Sequence, residues 1–491
     1  MERAFWTAAQ AAALDRLAQE QGLSAWELMQ RAGLSAWQVL RRHWPAARQV
    51  VVVLGKGNNA GDGLVLAAHA RRYGLRVHAM RVDALPYAGA AADAERFALS
   101  RGVVIEGWSD EPLSGADVVV DALLGIGLSG PPSPPYAAAI AAINRSGRPV
   151  FSMDVPSGLD VDRAAAAGDE AVRAAVTLCF LVPKQGLFTG PGADWAGRVI
   201  CDDLGFKPPK QWTRSACVHE LRVSPWPVRS LSSHKGMYGR VVVVGGLSGM
   251  SGAAVLTASA VARSGAGWVH LLSDEAACQA VLQHTPEIMT ATISGQEDLV
   301  LPGLDEADLL VVGPGLGRTE RARLVFERIM ASGKSVVLDA DALYFLQQSP
   351  QRPAVLTPHP GEAAQLLGCR SQDVQQDRFK AAASLAARYD SVVILKGNGT
   401  LVALPDGTMQ LCTAGNPAMA SPGMGDVLAG MVAGLWAQCH DPVQAAHMAV
   451  LEHARLADYL VAQGKKTLLA TDLLSAWAGP GHAAAVSGSV D

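Results

Sequence analysis

The chain has 491 residues, more than one ordinary core accommodates, so two or three domains are expected. Hydrophobic residues make up 49% and charged residues 18%, which excludes a disordered chain, and a formal net charge of -4 gives no reason to expect nucleic acid or an anionic membrane as partner. The cysteines are scattered without a CxxC pair or zinc spacing, the N-terminus does not read as a signal peptide, and no stretch reaches the ~20 apolar residues of a membrane helix. A cytoplasmic protein with free thiols is expected.

Helical material is predicted to about His43. A β-branched run, Gln49–Leu54, then stops at Gly55. Further strands are predicted at Arg76–Arg81, Val103–Ile105, Asp117–Asp121, Pro149–Asp154 and Val176–Phe180, separated by helical stretches such as Leu64–Tyr73 and Tyr136–Asn144. Nearly continuous apolar strands alternating with helices indicate a parallel sheet covered on both faces, with the strand C-terminal ends on one rim. The alanine-rich stretch Arg163–Ala167 reads as a surface loop. A join is expected near residues 207–225, where Pro, Lys, Trp and Ser mix without periodicity. A second alternating block follows at Arg240–Val244, Trp268–Leu272, Leu309–Val312, Ser335–Leu338, Ala354–Leu356, Val392–Lys396 and Thr400–Ala403, closing with a long helix after Gly425.

In the first block the strand end at Gly55 opens GKGNNAGDG and then a helix, so glycines permit close backbone approach and helix amides suit phosphate. A ligand-free glycine turn is as good a reading of that loop alone. Asn58, Asn59 and Asp62 favour function, because a plain turn does not need three polar side chains in five residues; their oxygens suit a hard cation. Asp121 closes another strand before ALLGIGLSGPP, and Asp154 closes a third before VPSGLD, which contains Ser157. Each Asp alone would read as a turn or cap residue. Three oxygen-bearing loops on one rim outweigh that, and a carboxylate there can move a proton.

NNAGDG, DALLGIG and MDVPSGLD, in this order, resemble the NAD(P)H-hydrate epimerase family over roughly the first 205 residues. The resemblance implies a Rossmann-like three-layer α/β/α sandwich in a domain spanning residues 1–215. It implies that Asn58, Asn59, Ala60, Gly61 and Asp62 bind the hydrated nucleotide, with a second loop formed by Gly125, Ile126, Gly127, Leu128, Ser129, Gly130 and Pro131. Asn59, Asp121 and Ser157 match its potassium positions, and Asp154 matches a substrate-contacting acid, taken here as the proton-transfer residue. Lys184 matches a family lysine, with a surface lysine as the equal alternative. Ala60 replaces the usual Gly and Ile126 a common Thr; Ala leaves the loop's path open unless its φ must be positive.

The second block carries GGLSGMSGAA after its first strand, and GPGLG after Leu309–Val312. Tight helix packing explains the alanines of the first segment, but not its repeated glycines. Asp339 and Asp341 end one strand, and His359 and Glu362 follow another, with His359 flanked by prolines. KGNGT sets Lys396 and a glycine turn beside a strand, suiting phosphates. In SPGMGDVLAG the amides of Gly423, Met424 and Gly425 can form an anion hole, and Asp426 can take the proton from an attacking hydroxyl. A structural Asp at a helix N-terminus is the alternative.

This GxGD arrangement resembles the ribokinase-like superfamily. With HKGMYG, TPHPGE and KGNGT it is similar to the ADP/ATP-dependent NAD(P)H-hydrate dehydratases, in a ribokinase-like α/β domain spanning residues 222–487. The resemblance implies that Ala254, Gly317, His359 and Asp426 contact the hydrated nucleotide, while Lys396, Gly397, Asn398, Gly399, Thr400 and Gly425 contact the phosphate donor. Pro422 departs from the family, removing an amide from the anion hole. The implied reaction phosphorylates the hydroxyl of hydrated NADH or NADPH (NADHX, NADPHX), and elimination of phosphate restores the dihydropyridine. ADP with Mg2+ is the expected donor, K+ the expected epimerase cation, and a homo-oligomer the expected assembly. Two alternatives stand: a vitamin or sugar kinase of the same superfamily, and a non-catalytic, nucleotide-binding first domain.

Overall fold

A computed structural model describes residues 3–477 except 215, 223–225, 227, 248 and 296–298. They form two compact units, the described parts of Met1–His219 with Gln375–Asp377, and of Glu220–Val374 with Arg378–Asp491.

The first unit has a seven-stranded sheet: β1 (Gln49–Leu54), β2 (Arg76–Arg81), β3 (Ile105–Gly107), β4 (Val118–Ala122), β5 (Val150–Met153), β6 (Val176–Phe180) and β7 (Arg198–Asp202). All pairs are parallel, in the order β7-β6-β5-β4-β1-β2-β3. The central strands are apolar throughout because both faces are covered. Val50, Val52 and Leu54 pack in one cluster with Leu40, Leu64 and Leu66, while Val51 and Val53 pack in another with Ile140 and Ile143. From β1 the chain steps to β2 on one side and later returns as β4 on the other. The crevice beyond the carboxyl ends of β1 and β4 is therefore a topological switch point, where such sheets bind ligands.

The second unit repeats the logic with β8 (Arg240–Val244), β9 (Trp268–Ser273), β10 (Met289–Thr292), β11 (Leu309–Val312), β12 (Ser335–Leu338), β13 (Ala354–Leu356), β14 (Val392–Leu395), β15 (Leu401–Ala403) and β16 (Met409–Leu411). Their order is β16-β15-β14-β13-β12-β11-β8-β9-β10; β8 to β14 pair in parallel, and β15 and β16 extend the sheet antiparallel. The switch point lies between β8 and β11. There the two glycine loops bond each other, Gly246 N to Pro314 O at 2.9 Å and Leu247 N to Gly315 O at 2.7 Å.

Three expectations are corrected. The single closing helix is two, Met424–Cys439 and Pro442–Ala462, broken at His440 with φ 57° and restarted by Asp441, whose side chain accepts from Val443 and Gln444. Arg163–Ala167 is not a surface loop: Ala165–Ala166 pairs with Leu159–Asp160, and Ala164 and Ala165 are buried. The strand expected at Val103–Ile105 is Ile105–Gly107, at the sheet edge.

Candidate active sites

In the first unit, β1 feeds the helix Asn58–Arg72, whose N-cap Gly57 supplies no side-chain hydrogen bond, so the first-turn amides face outward. Ala60 and Gly61 turn into the packing beneath; Ala60 is helical without a positive φ, so alanine costs this loop nothing. Asn58, Asn59 and Asp62 reach a cavity of about 610 Å³, closed on the opposite side by Gly125–Ser129 and Pro131, with Asp154 and Lys184 in its wall. Gly130 lies outside that wall and is exposed.

Behind the cavity the oxygens converge. Asp121 is fully buried, accepting from Ser152 Oγ at 2.8 Å, from Ser157 N at 2.9 Å and from Ser157 Oγ at 2.5 Å. Ser157 Oγ in turn accepts from Leu124 N at 2.8 Å, and Asn59 Nδ2 donates to Leu124 O at 3.1 Å. Burial pushes the Asp121 carboxyl up, although these hydrogen bonds oppose the shift. Asn59 Oδ1 is buried without a hydrogen-bond partner among the described residues.

Asp154 sits at φ 60° after β5, a conformation that costs free energy in a non-glycine residue and recurs at functional sites. Its carboxylate pairs with the Lys184 ammonium, which also donates to Phe180 O at 2.8 Å. Lys184 is therefore not a surface lysine; it is 2% exposed. Burial opposes its charge, but the surrounding groups, Asp154 first, together more than offset that and leave it harder to deprotonate than an ordinary lysine. Asp62 behaves oppositely: burial first, then the charges of Asp154 and Asp15, push its carboxyl well above the usual range. Asp15, from the helix Ala8–Glu20, lines the same cavity and is likewise raised by burial; sequence reading gave no signal for it, because it is one polar residue on an amphipathic helix.

In the second unit the candidate residues follow successive strand ends: Asp339 after β12, Thr357 to His359 after β13 and Lys396 after β14. The helix Met424–Cys439 begins here without a side-chain cap, entered through Gly423 at φ 87°, a left-handed conformation that glycine adopts freely. Pro422 precedes this turn, so the first-turn amides remain available. Thr257 Oγ1 donates to Asp426 O at 3.1 Å, tying the helix start to the helix Ser251–Arg263. A Cβ on Gly425 would stand 3.1 Å from Lys396 Nζ and 3.8 Å from Asp339 Oδ2, so both charged groups lie directly against the helix start. Lys396 Nζ is 2.7 Å from Asp339 Oδ1 and 3.8 Å from Glu362 Oε2. Asp426 is half-buried, and burial first, then the Asp339 charge, push its carboxyl up to about 6, against the pull of Lys396.

The remaining predicted positions vary. Gly317 N donates to Asp341 Oδ2 at 2.9 Å, and Arg318 pairs with the same carboxylate, so Asp341 fixes the GPGLG loop. His359 is exposed at the ring, and its Nδ1 accepts from Gly361 N at 2.9 Å and Glu362 N at 3.3 Å, making it a helix cap as well as a candidate contact. Ala254 is fully buried in the core, so its side chain faces packing rather than an open site. Gly397 and Gly399 hold positive φ, and Arg378, buried beneath them, donates to Leu395 O at 3.2 Å and Lys396 O at 3.3 Å. Sequence reading missed Arg378, which lies in a helix remote from every motif.

Two α/β units each gather glycine turns and an acid–lysine pair at the carboxyl ends of parallel strands, the arrangement of an enzyme with two candidate sites. The NAD(P)H-hydrate dehydratase family model matches residues 241–478, and that of the YjeF-related protein N-terminus matches residues 25–186. The bifunctional NAD(P)H-hydrate repair enzyme of Coxiella burnetii is 41% identical over 471 residues, covering 94% of this chain and 96% of its own. Its Escherichia coli counterpart is 38% identical, covering 92% and 89%. Among solved structures, the ADP/ATP-dependent NAD(P)H-hydrate dehydratase of Bacillus subtilis, co-crystallised with ATP/Mg2+, is 32% identical over 51% of this chain and 91% of its own, with a TM-score of 0.47. The chain belongs to the bifunctional NAD(P)H-hydrate repair enzymes, which join an epimerase and a dehydratase in one polypeptide. A vitamin or sugar kinase would leave the first unit unaccounted for.

Proposed function

We propose that residues 1–215 interconvert the R and S forms of NADHX and NADPHX, and that residues 222–487 dehydrate the S form with ADP, releasing NADH or NADPH, AMP and phosphate. The observation carrying this reading is Asp426 at an uncapped helix start, with the Lys396 ammonium against Gly425.

In the dehydratase, Asp426 takes the proton of the substrate hydroxyl as its oxygen attacks the terminal phosphoryl group of ADP. Lys396, the Gly397–Thr400 turn and the amides of Met424 and Gly425 stabilise the charge on the phosphoryl oxygens. AMP leaves; the ring nitrogen's lone pair then expels phosphate, and the neighbouring ring carbon gives up its proton to the departing phosphate as the ring double bond re-forms. Gly317 and His359 border the hydrated ring. Mg2+ would come bound to the donor nucleotide and would supply positive charge to its phosphates.

In the epimerase, two carboxyl groups share one cavity in different surroundings: burial raises Asp62, whereas Asp154 lies against the Lys184 ammonium, a difference that suits one to act as acid and the other as base. Asp62, kept toward its neutral form, protonates the departing hydroxyl. Asp154, paired with Lys184, takes a proton from the water that returns to the opposite ring face. Nucleotide phosphates meet the Asn58–Asp62 helix start and the Gly125–Pro131 loop. Asn59, Asp121 and Ser157 would hold K+: Asn59 Oδ1, without a hydrogen-bond partner among the described residues, and the all-oxygen donor set fit a hard cation, which would supply positive charge beside the buried Asp121.

On this reading the enzyme works in the cytoplasm as a homo-oligomer; no described helix is long and apolar enough to cross a membrane. The test incubates purified protein with mixed hydrate epimers and ADP, ATP or neither, following reduced-cofactor absorbance. Consumption of both epimers with ADP is expected. Recovery from only one epimer would refute the epimerase half, and no recovery with either nucleotide would refute the dehydratase half.

A further inference from the structure

Asp339 belongs to none of the phosphate or substrate loops, yet it is an almost fully buried acid at the second site, 1% exposed. Oδ1 accepts from Thr357 Oγ1 at 2.6 Å and from Lys396 Nζ at 2.7 Å. The backbone around it is locked. Ala340 holds φ 50°, and the Asp339 carbonyl lies so close to Gly313 that no Cβ would fit there. A buried ion pair offers little net stability over an apolar pair of similar size, so its presence at a strand end calls for another reason. Lysine supplies a mobile point charge on a flexible stem, and without an anchor its ammonium would sample many positions. Asp339 removes that freedom at the spot where the ammonium meets the first turn of the helix Met424–Cys439.

We propose that Asp339 is a positioning residue for phosphoryl transfer, holding the Lys396 ammonium against the Met424 and Gly425 amides where the transferring phosphoryl group lies. The inference rests on the dehydratase reading and adds to it a residue that makes no contact with substrate. It also has an electrostatic consequence. The charged groups acting on Asp426 are Asp339, Lys396 and Glu362; His359 faces Glu362, and His453 reaches Met424 from the helix Pro442–Ala462. The Asp339 charge opposes ionisation of Asp426, so neutralising it lets Asp426 ionise at lower pH.

The experiment measures dehydratase kinetics with the S hydrate and MgADP for wild type, Asp339→Asn, Lys396→Met and the double variant. Asn keeps the shape and an acceptor for Thr357 while deleting the charge. Asp339→Asn is expected to lower kcat by about tenfold or more. The pH below which its rate falls should move downward, and the double variant should be no slower than Lys396→Met. Wild-type kinetics in either single variant, an unmoved pH profile, or losses that multiply in the double variant would overturn the inference. If Asp339→Asn does not fold, the double variant, with neither charge left alone, is compared with Lys396→Met: equal rates support the inference and a lower rate overturns it. A wild-type protein that recovers no cofactor with either MgADP or MgATP sinks the dehydratase reading itself, and this inference with it.

Discussion

Gly425→Ala separates the catalytic role of the helix start from its structural one, because the two predict effects of opposite sign. The added methyl would stand 3.1 Å from Lys396 Nζ, and regaining a van der Waals separation of about 3.5 Å requires the ammonium to retreat by roughly 0.4 Å. The obstacle is the tip of a flexible side chain, so the fold accommodates it. Alanine in a helix is also favoured over glycine by roughly 0.5–1 kcal/mol. Stability should therefore stay level or rise. The retreat strains the 2.7 Å bond to Asp339 and puts a methyl where a phosphoryl oxygen approaches. Misplacement on this scale should lower kcat by roughly ten- to a hundredfold. Steady-state recovery of reduced cofactor from the S hydrate with ADP, paired with a thermal melt, measures both. Unchanged kcat in a variant whose Tm has not fallen would show that the helix start does not hold the donor phosphate.

Three further outcomes follow from the same geometry. Asp154→Asn should leave hydrate binding measurable and stop interconversion of the epimers, followed by chromatography; unchanged interconversion removes Asp154 from the mechanism and revives a merely nucleotide-binding first unit. Because Asp426 works as a base and its carboxyl is raised to about 6, dehydratase kcat should be flat above neutrality and fall about tenfold per pH unit well below 6; a flat profile down to pH 5 would contradict that role. Burial lowers His447 and His453 from 6.5 to about 4, and the Nε2 of each lacks a hydrogen-bond partner among the described residues. The unfolded chain then binds more protons between those values, so stability present above 6.5 is lost as pH falls toward 4, by roughly 3 kcal/mol per histidine at most. Denaturant titration of His453→Gln, whose acid loss should be smaller than that of wild type, checks this; equal losses would argue against it.

The fold was legible wherever strands are buried on both faces. β1, β6, β8, β11, β12 and β13 lie where short, nearly continuous apolar runs predict them, as a parallel sheet covered on both faces requires. β7 was not legible: Arg198–Asp202 is an edge strand whose short apolar run is flanked by charged residues and at most half-buried. The break at His440 carried a readable signal in Asp441 and Pro442, a cap followed by a first-turn proline, which the apolar periodicity on either side masked. At the sites, strand-end motifs drew attention to Asn59, Asp121, Asp154, Ser157 and Lys396, and a glycine-flanked helix start to Asp426. What sequence could not supply is which charges meet. Asp154 with Lys184 and Asp339 with Lys396 are pairings between different strand ends, 30 and 57 residues apart in the chain, and only the sheet order brings them together.

The account stands or falls on the carboxylate of Asp426. Asp426→Asn keeps its size and its helix position while removing the base, so the purified variant, given mixed epimers and ADP, should still interconvert R and S forms at the wild-type rate. Its recovery of NADH or NADPH should drop by about a thousandfold or more. Recovery within a few-fold of wild type would contradict the assignment of phosphoryl transfer to this helix start.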